Sequence, residues 1–173
     1  ALRVSELPGD PDVLVANLPY NVSVPVLLHF MEHFPTIQRG VVMVQAEVGE
    51  RLAAPSGSKV YGAPSVKAAW YGTWRLAGTV SRQVFWPVPN VDSVLVGFER
   101  DTDARGTEEE RLRTFAIVDA AFQQRRKMLR QALSGVLGGS SAAASDVLER
   151  ARVAPTARGE ELTIEDFVRI ARA

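Results

Sequence analysis

The stretch VANLPYN, residues 15–21, places an Asn, a Pro and a Tyr directly after a short apolar run. That run, DVLVAN at residues 12–17, is rich in β-branched residues, which favours a buried strand. A second such run, RGVVMVQ at residues 39–45, follows after a helical pattern. Two buried strands joined by a helix predict a parallel βαβ unit. Residues 17–20 would then lie at the carboxyl end of a central strand, where open α/β sheets bind their ligands.

The segment between the two strands predicts the connecting helix. Ser23 is a candidate N-cap, and Pro25 falls in the first turn. Four large apolar residues share one face of this helix. They are Leu27, Phe30, Met31 and Phe34. We therefore expect this face to pack on the sheet.

The segments after residue 45 predict more of the same α/β layer. Residues 46–54 have a helical pattern, residues 55–62 a loop composition, and Pro64 opens a short helix. Residues 72–80 and 91–100 both alternate as strands do. We expect them to form an antiparallel pair at one edge of the sheet.

The composition changes at DTDARGTEEE, residues 101–110, which we take as a domain boundary. Beyond it the pattern is helical, with a possible break at QQRR (123–126) and a flexible connector at 135–145. Thr163 and Asp166 match a capping box for a last helix. The expected fold is an α/β layer in residues 1–100 followed by a small all-helical domain in residues 101–173.

Composition excludes several classes of protein. The chain has no Cys, so it has neither disulfides nor thiolate zinc sites. No apolar stretch approaches the roughly 20 residues of a membrane helix, and the first ten residues lack a signal-peptide pattern. The net charge of +0 argues against a surface that is basic all over, but it allows a local basic patch. These features predict a cytoplasmic protein.

The NLPY motif offers a specific set of groups. The Asn17 side chain has a carbonyl acceptor, the Leu18 backbone has a second, and Pro19 stiffens the turn without adding a donor. Two fixed acceptors suit an NH₂ group, and holding both hydrogens out of the ring plane frees the lone pair of an aromatic amine. Tyr20 offers a face on which a flipped-out base can stack. An ordinary turn with a packed Tyr is the alternative.

With its neighbouring segments, the motif resembles the KsgA family of small-subunit rRNA adenine dimethyltransferases. The resemblance runs in family order through NLPYNVSVP, QAEVGERL, SKVYGAPSV, FWPVPNVDS and AFQQRRKMLR. It implies a partial Rossmann-like methyltransferase sheet, S-adenosylmethionine as cofactor, and the rRNA of an immature small ribosomal subunit as partner. It also implies that Asn17 holds the target amino group and contacts the cofactor, that Leu18 lends its carbonyl, and that Tyr20 and Phe85 cover the two faces of the adenine.

Part of the family pattern is absent. Family members carry a Gly-rich cofactor loop after their first strand, and only sixteen residues precede Asn17 here. We therefore expect this chain alone to bind S-adenosylmethionine poorly or not at all and to be inactive. The exposed edge of an incomplete sheet would also invite self-association.

The run RRKMLR is the best candidate for RNA contact. It contains Arg125, Arg126, Lys127 and Arg130, and no acidic residue lies between Asp119 and Asp146. Lys59, in the SKVYG loop, is a weaker candidate of the same kind. A solvated helix face is the alternative on sequence alone, whereas the resemblance favours rRNA phosphates.

Other functions are weaker alternatives. His29 and His33 have the spacing of metal ligands, but no third ligand is evident nearby, so we expect no metal site. The macrolide-resistance methyltransferases, which modify large-subunit rRNA, are close relatives of the family. A non-catalytic RNA-binding assembly factor with the same fold is the alternative from another class.

Overall fold

The chain forms two compact units in a computed structural model that describes residues 2–173. One unit comprises the residues up to Ala54 together with Tyr71–Asp103, and the other comprises Pro55–Trp70 and Ala104–Ala173. The sequence interpretation assigned residues 55–70 to the first domain, whereas the structure groups them with the C-terminal helices. The predicted division into a catalytic domain of residues 1–100 and an rRNA-contacting domain of residues 101–173 stays a prediction.

The first unit contains a four-stranded sheet. Its strands are β1 (Val13–Asn17), β2 (Arg39–Gln45), β3 (Gly72–Val80) and β4 (Ser93–Arg100). Their order across the sheet is β1-β2-β4-β3. β1 pairs with β2 in parallel, and β4 pairs antiparallel with both β2 and β3. The predicted parallel unit and the predicted antiparallel edge pair are both confirmed.

The expectation that β1 is buried is wrong. Val13 and Val15 are exposed, the latter at 78%. Within the described residues β1 is an edge strand, and no element covers the face that carries these two side chains. β2 lies inside the sheet, and its Val42 and Val44 are buried.

The crossover helix α1 (Ser23–His33) follows a 3₁₀ turn at Tyr20–Val22. The expected cap is wrong, because Ser23 already has helical dihedral angles and its hydroxyl donates to the Tyr20 carbonyl at 3.4 Å. The 3₁₀ turn leads directly into the helix, so the chain needs no separate capping side chain there. Of the predicted apolar face, Leu27, Met31 and Phe34 are buried, and Phe30 is half-buried.

Helix α2 (Ala46–Leu52) packs closely on the sheet at Gly49. A Cβ atom at this position would lie 2.2 Å from Val94 Cγ2 and 2.9 Å from Val96 Cγ2. The helix therefore approaches β4 at a distance that only glycine allows.

The described residues of the second unit contain five α-helices. They are α3 (Ala63–Ala69), α4 (Glu108–Gln123), α5 (Leu129–Ala132), α6 (Ser141–Arg150) and α7 (Ile164–Arg172). Phe167 and Leu148 lie in its core. The capping box of Thr163 and Asp166 is confirmed. The predicted connector is too long, because Ser140 caps α6 and residues 141–145 are already helical.

None of the helices in residues 2–173 has the length and apolarity that a membrane crossing requires.

Candidate functional site

One edge of the sheet brings together the loops that the sequence singled out. β1, β2 and β3 end at this edge, and β4 begins there, because Gln45 pairs with Ser93 and Val80 also pairs with Ser93. The NLPY turn leaves this edge after β1, and the loop of residues 81–92, here called the FWPVP loop, joins β3 to β4. This edge contains the carboxyl ends of the two parallel strands, the usual ligand position in such sheets.

Asn17 and Leu18 present unused acceptors at this edge. Asn17 is the last residue of β1 and its side chain is exposed. Leu18 is buried. Its N–H donates to the Met43 carbonyl at 3.1 Å and so continues the hydrogen bonding between β1 and β2. Within residues 2–173, nothing forms a hydrogen bond to the Asn17 side chain or to the Leu18 carbonyl. Pro19 has φ −59° and ψ 137°, the fixed extended geometry that turns the chain away from the sheet.

Tyr20 is held by a contact that the sequence did not reveal. Its hydroxyl lies 3.0 Å from Ser93 Oγ, and Ser93 is fully buried at the start of β4. This hydrogen bond joins the NLPY turn to the end of the FWPVP loop and fixes the position of the phenol ring. Ser93 belongs to the FWPVPNVDS segment, so the resemblance marked its neighbourhood without giving it a role.

Phe85 lies in the FWPVP loop at the same edge of the sheet. The ring is half-buried, and the backbone is extended at φ −105° and ψ 148°. The loop is braced at its base, where the Arg82 N–H donates to Asp92 Oδ1 at 3.0 Å. Phe85 and Tyr20 thus lie on two segments at the same edge of the sheet, and their role in covering a flat ring stays a prediction.

The basic run forms a turn at the end of α4. The helix ends at Gln123, and the Lys127 N–H donates to the Gln124 carbonyl at 2.8 Å. Arg126 and Lys127 are exposed, and neither forms an ion pair among the described residues. Arg130 is half-buried in α5. The run therefore presents cations on a defined turn rather than along one helix face.

Arg125 differs from its neighbours because its guanidinium is already engaged. It forms an ion pair with Glu160 at 2.6 Å and donates to the Lys59 carbonyl at 3.0 Å. The Gly57 N–H donates to the Glu160 carbonyl at 2.7 Å. Arg125 thus holds the loop that carries Lys59 against the basic turn. Glu160, which the sequence analysis did not single out, contributes to this arrangement through its carboxylate and its carbonyl.

Tyr61 anchors the other end of the same loop. It is buried, and its hydroxyl donates to the Leu162 carbonyl at 2.7 Å. Burial, followed by the negative charges of Glu165 and Asp166, raises the pKa of Tyr61 to about 12. All three causes disfavour the phenolate.

This pKa predicts a loss of stability in alkaline solution. An unfolded tyrosine ionises near pH 10, so the contribution of Tyr61 is complete below pH 10 and falls as the pH rises toward 12. Urea unfolding at a series of pH values should show a steeper decline for the native protein than for Tyr61→Phe. The variant also loses about 1 kcal/mol at neutral pH with the hydrogen bond. Equal alkaline slopes in the two proteins would contradict this assignment.

The two histidines bind backbone groups. His29 Nε2 lies 2.7 Å from the Val4 carbonyl, and His33 Nδ1 lies 3.0 Å from the His29 carbonyl. Their rings stack with centroids 4.1 Å apart. Because a carbonyl only accepts, each of these two nitrogens donates a hydrogen, so the backbone fixes both rings.

The chain belongs to the family described as "Ribosomal RNA adenine dimethylase", whose sequence model matches residues 5–173. It is 70% identical over 171 residues to the ribosomal RNA small subunit methyltransferase A of Leifsonia xyli subsp. xyli, with 99% of this chain and 61% of that protein covered. The protein of the same description from Streptomyces avermitilis is 59% identical over 172 residues, with coverages of 99% and 58%. The chain thus spans about three fifths of the length of these curated relatives.

Two solved structures share the fold. A dimethyladenosine transferase from Plasmodium falciparum aligns with a TM-score of 0.82 at 23% identity, over 97% of this chain and 68% of that one. The 23S rRNA methyltransferase ErmE aligns with a TM-score of 0.70 at 21% identity, over 99% and 68% of the two chains. The chain therefore shares its mixed α/β fold with both of these proteins.

Proposed function

We propose that this chain contributes the amine-binding site of an enzyme that dimethylates the amino groups of two adjacent adenines near the 3′ end of small-subunit rRNA. The observation that carries the proposal is the NLPY turn. The free acceptors of Asn17 and Leu18 lie at the carboxyl edge of the sheet, beside a Tyr20 ring that Ser93 fixes. Family membership and the curated relatives support the substrate class.

The proposed chemistry depends on positioning. Asn17 Oδ1 and the Leu18 carbonyl each accept one hydrogen of the adenine amine, which pushes the nitrogen toward a tetrahedral shape and frees its lone pair. Tyr20 and Phe85 hold the two faces of the base and exclude water from it. No strong general base is needed, because the nitrogen becomes acidic once it carries a fourth bond. Positioning of this kind supplies much of the rate enhancement in bimolecular reactions.

S-adenosylmethionine is the proposed cofactor, and it would supply an electrophilic methyl group. Of the residues present, Asn17 is the one proposed to contact the cofactor. Its exposed side-chain amide has no partner within residues 2–173 and is therefore available to both substrate and cofactor. A Gly-rich loop with nearby acidic residues, which the family resemblance implies, is not among these 173 residues. We therefore propose that the chain alone binds the cofactor weakly and is inactive.

Calorimetry tests this proposal. S-adenosylmethionine is titrated into residues 1–173 and into the extended protein, defined here as this chain lengthened at its N-terminus by the cofactor-loop region of the family. We expect binding only by the extended protein. Micromolar binding by the short chain would overturn the proposed inactivity, and absence of binding by both would favour a non-catalytic RNA-binding factor.

The RNA partner is proposed to contact the second unit during small-subunit assembly. Arg126 and Lys127 offer unpaired charges on the turn after α4, and Arg130 follows in α5. Lys59 joins them through the bridge that Arg125 makes between Glu160 and the Lys59 carbonyl. This arrangement supports a phosphate-binding surface in which Arg125, whose charge is paired with Glu160, orders the neighbouring Lys59.

Removal of two phosphate contacts should change the salt dependence of RNA binding. For Arg126→Ala combined with Lys127→Ala, we expect the slope of log K against log salt to become shallower by about 1.4, since each contact with a single strand contributes roughly 0.7. The measurement is a series of filter-binding titrations between low and moderate salt. Arg113→Ala, which removes an exposed cation of α4, is the control and should leave the slope unchanged. Equal slopes for the double variant and the control would contradict the proposed surface.

The proposal includes self-association through the edge of the sheet. The edge strand β1, which carries exposed Val13 and Val15, is proposed to pair with a second copy of the chain.

The proposed place of action is the cytoplasm, where immature small subunits are assembled.

A further inference from the structure

The FWPVP loop carries a tryptophan that the proposed chemistry does not use. Trp86 is 94% exposed, whereas Trp70 and Trp74 are 6% and 8% exposed. Val84 and Val88, on either side of it in sequence, are also exposed. An indole in water is costly, so a side chain held in this way points to a partner that covers it.

Hydrogen bonds at the base of the loop fix its position. The Arg82 guanidinium donates to the Asn90 carbonyl at 3.2 Å, and the Arg82 N–H donates to Asp92 Oδ1 at 3.0 Å. The Gln83 N–H donates to Ser81 Oγ at 3.3 Å. The two arms of the loop are therefore tied together, and the exposed indole belongs to an ordered segment.

Phe85 and Trp86 differ in exposure although they are neighbours in the chain. Phe85 is half-buried, while Trp86 faces solvent. If Phe85 covers the target adenine, the exposed Trp86 beside it in the chain is free to contact the neighbouring base.

The loop has no net charge that would repel a nucleic acid. It contains one cation, Arg82, and one carboxylate, Asp92, whose Oδ1 accepts a hydrogen bond from the Arg82 N–H. A phosphate backbone can therefore approach the indole without net repulsion. Tryptophan is also a sequence-tolerant platform for unpaired bases.

We infer that Trp86 stacks on the unpaired nucleotide adjoining the target adenine and so positions the RNA strand at the site. The inference rests on the proposed function, since it takes Phe85 as the ring on the target base. The enzyme is proposed to modify two adjacent adenines. While one adenine is in the site, the other would be the base that stacks on Trp86.

Tryptophan fluorescence tests the inference in this chain. Trp70 and Trp74 are buried, so quenching by RNA reports mainly on Trp86. A single-stranded oligonucleotide with two adjacent adenines is titrated, and anisotropy of a labelled copy measures total binding in parallel. We expect quenching that follows the anisotropy curve and is lost when the nucleotides flanking the adenine are abasic.

Variants separate stacking from apolar burial. Trp86→Leu should weaken binding by about tenfold and Trp86→Phe by much less, since only an aromatic ring stacks. Val84→Ala, in the same loop, is the control and should bind as the native chain does. If Trp86→Leu binds RNA with native affinity, the stacking inference is wrong but the proposed function is not affected. The same holds if the fluorescence changes with chain concentration in the absence of RNA, because a second copy of the chain would then cover Trp86. Absence of RNA binding by anisotropy would contradict the proposed function as well.

Discussion

Asn17→Ala in the extended protein should lower the rate of methyl transfer to small-subunit rRNA by about 10²–10³-fold, the usual effect of removing one fixed polar group from a reacting centre. The Asn17 amide is exposed at the carboxyl edge of the sheet and forms no hydrogen bond within residues 2–173, so its loss removes an acceptor without breaking the fold. RNA affinity should stay unchanged, because the proposed phosphate contacts lie in the second unit. Initial rates with radiolabelled cofactor provide the measurement.

Asn21→Ala is the matched control for this variant. Asn21 is also exposed, lies four residues further along in the 3₁₀ turn, and has no side-chain hydrogen bond in the described part of the chain. We expect its variant to retain the native rate. The role of Asn17 is contradicted if both variants transfer methyl groups equally well, whether at the native rate or at a reduced one.

Arg100→Met should destabilise the first unit by about 2–4 kcal/mol, the largest effect on stability that we expect. The half-buried guanidinium donates to the carbonyls of Ile37 at 2.7 Å, Met31 at 3.0 Å and Phe34 at 3.4 Å. It thus satisfies carbonyls at the end of α1 and in the turn that follows, and its charge complements the C-terminus of the helix. Burial lowers the pKa of Arg100, but the side chain stays charged at neutral pH. Methionine would fill the space and leave the carbonyls unpaired.

Urea unfolding of the variant and a control measures this effect. Arg75→Met removes an arginine from β3 whose ion pair with Glu99 is exposed at both partners, and we expect its midpoint to be nearly unchanged. A midpoint for Arg100→Met equal to that of Arg75→Met would show that the carbonyl contacts contribute nothing net. Retention of methyl transfer at low temperature in the extended protein would show that Arg100 acts on stability and not on chemistry.

The strands and the NLPY position could be predicted from the sequence because local patterns determine them. Runs of β-branched residues gave the strands, and Pro19 marked the point where β1 turns away from the sheet. Burial of β1 could not be predicted in the same way, because an apolar run indicates a preference for burial while the neighbouring elements decide whether it is covered. Val15 is apolar and exposed for that reason.

The contacts that complete the candidate site depend on tertiary structure. Tyr20 and Ser93 are 73 positions apart, and the pairing of β1 with β2 and of β2 with β4 brings them together. The bridge from Arg125 to Glu160 and Lys59 likewise joins three separate segments. The sequence showed a run of basic residues. It could not show that Arg125 has an intramolecular partner while Arg126 and Lys127 have free charges. Ser23 was assigned as a cap because its residue type favours that position, whereas the 3₁₀ turn before it already supplied a continuous entry to the helix.

Methyl transfer to isolated ribosomal subunits tests whether the enzyme modifies adenines of small-subunit rRNA. The extended protein is incubated with radiolabelled S-adenosylmethionine and either small or large subunits from cells that lack the modification, and the nucleosides are then separated. We expect dimethyladenosine in small-subunit rRNA, none in large-subunit rRNA, and near-complete loss with Asn17→Ala. Dimethyladenosine in large-subunit rRNA instead, or no methylated adenine in either particle despite RNA binding, would contradict the proposed function.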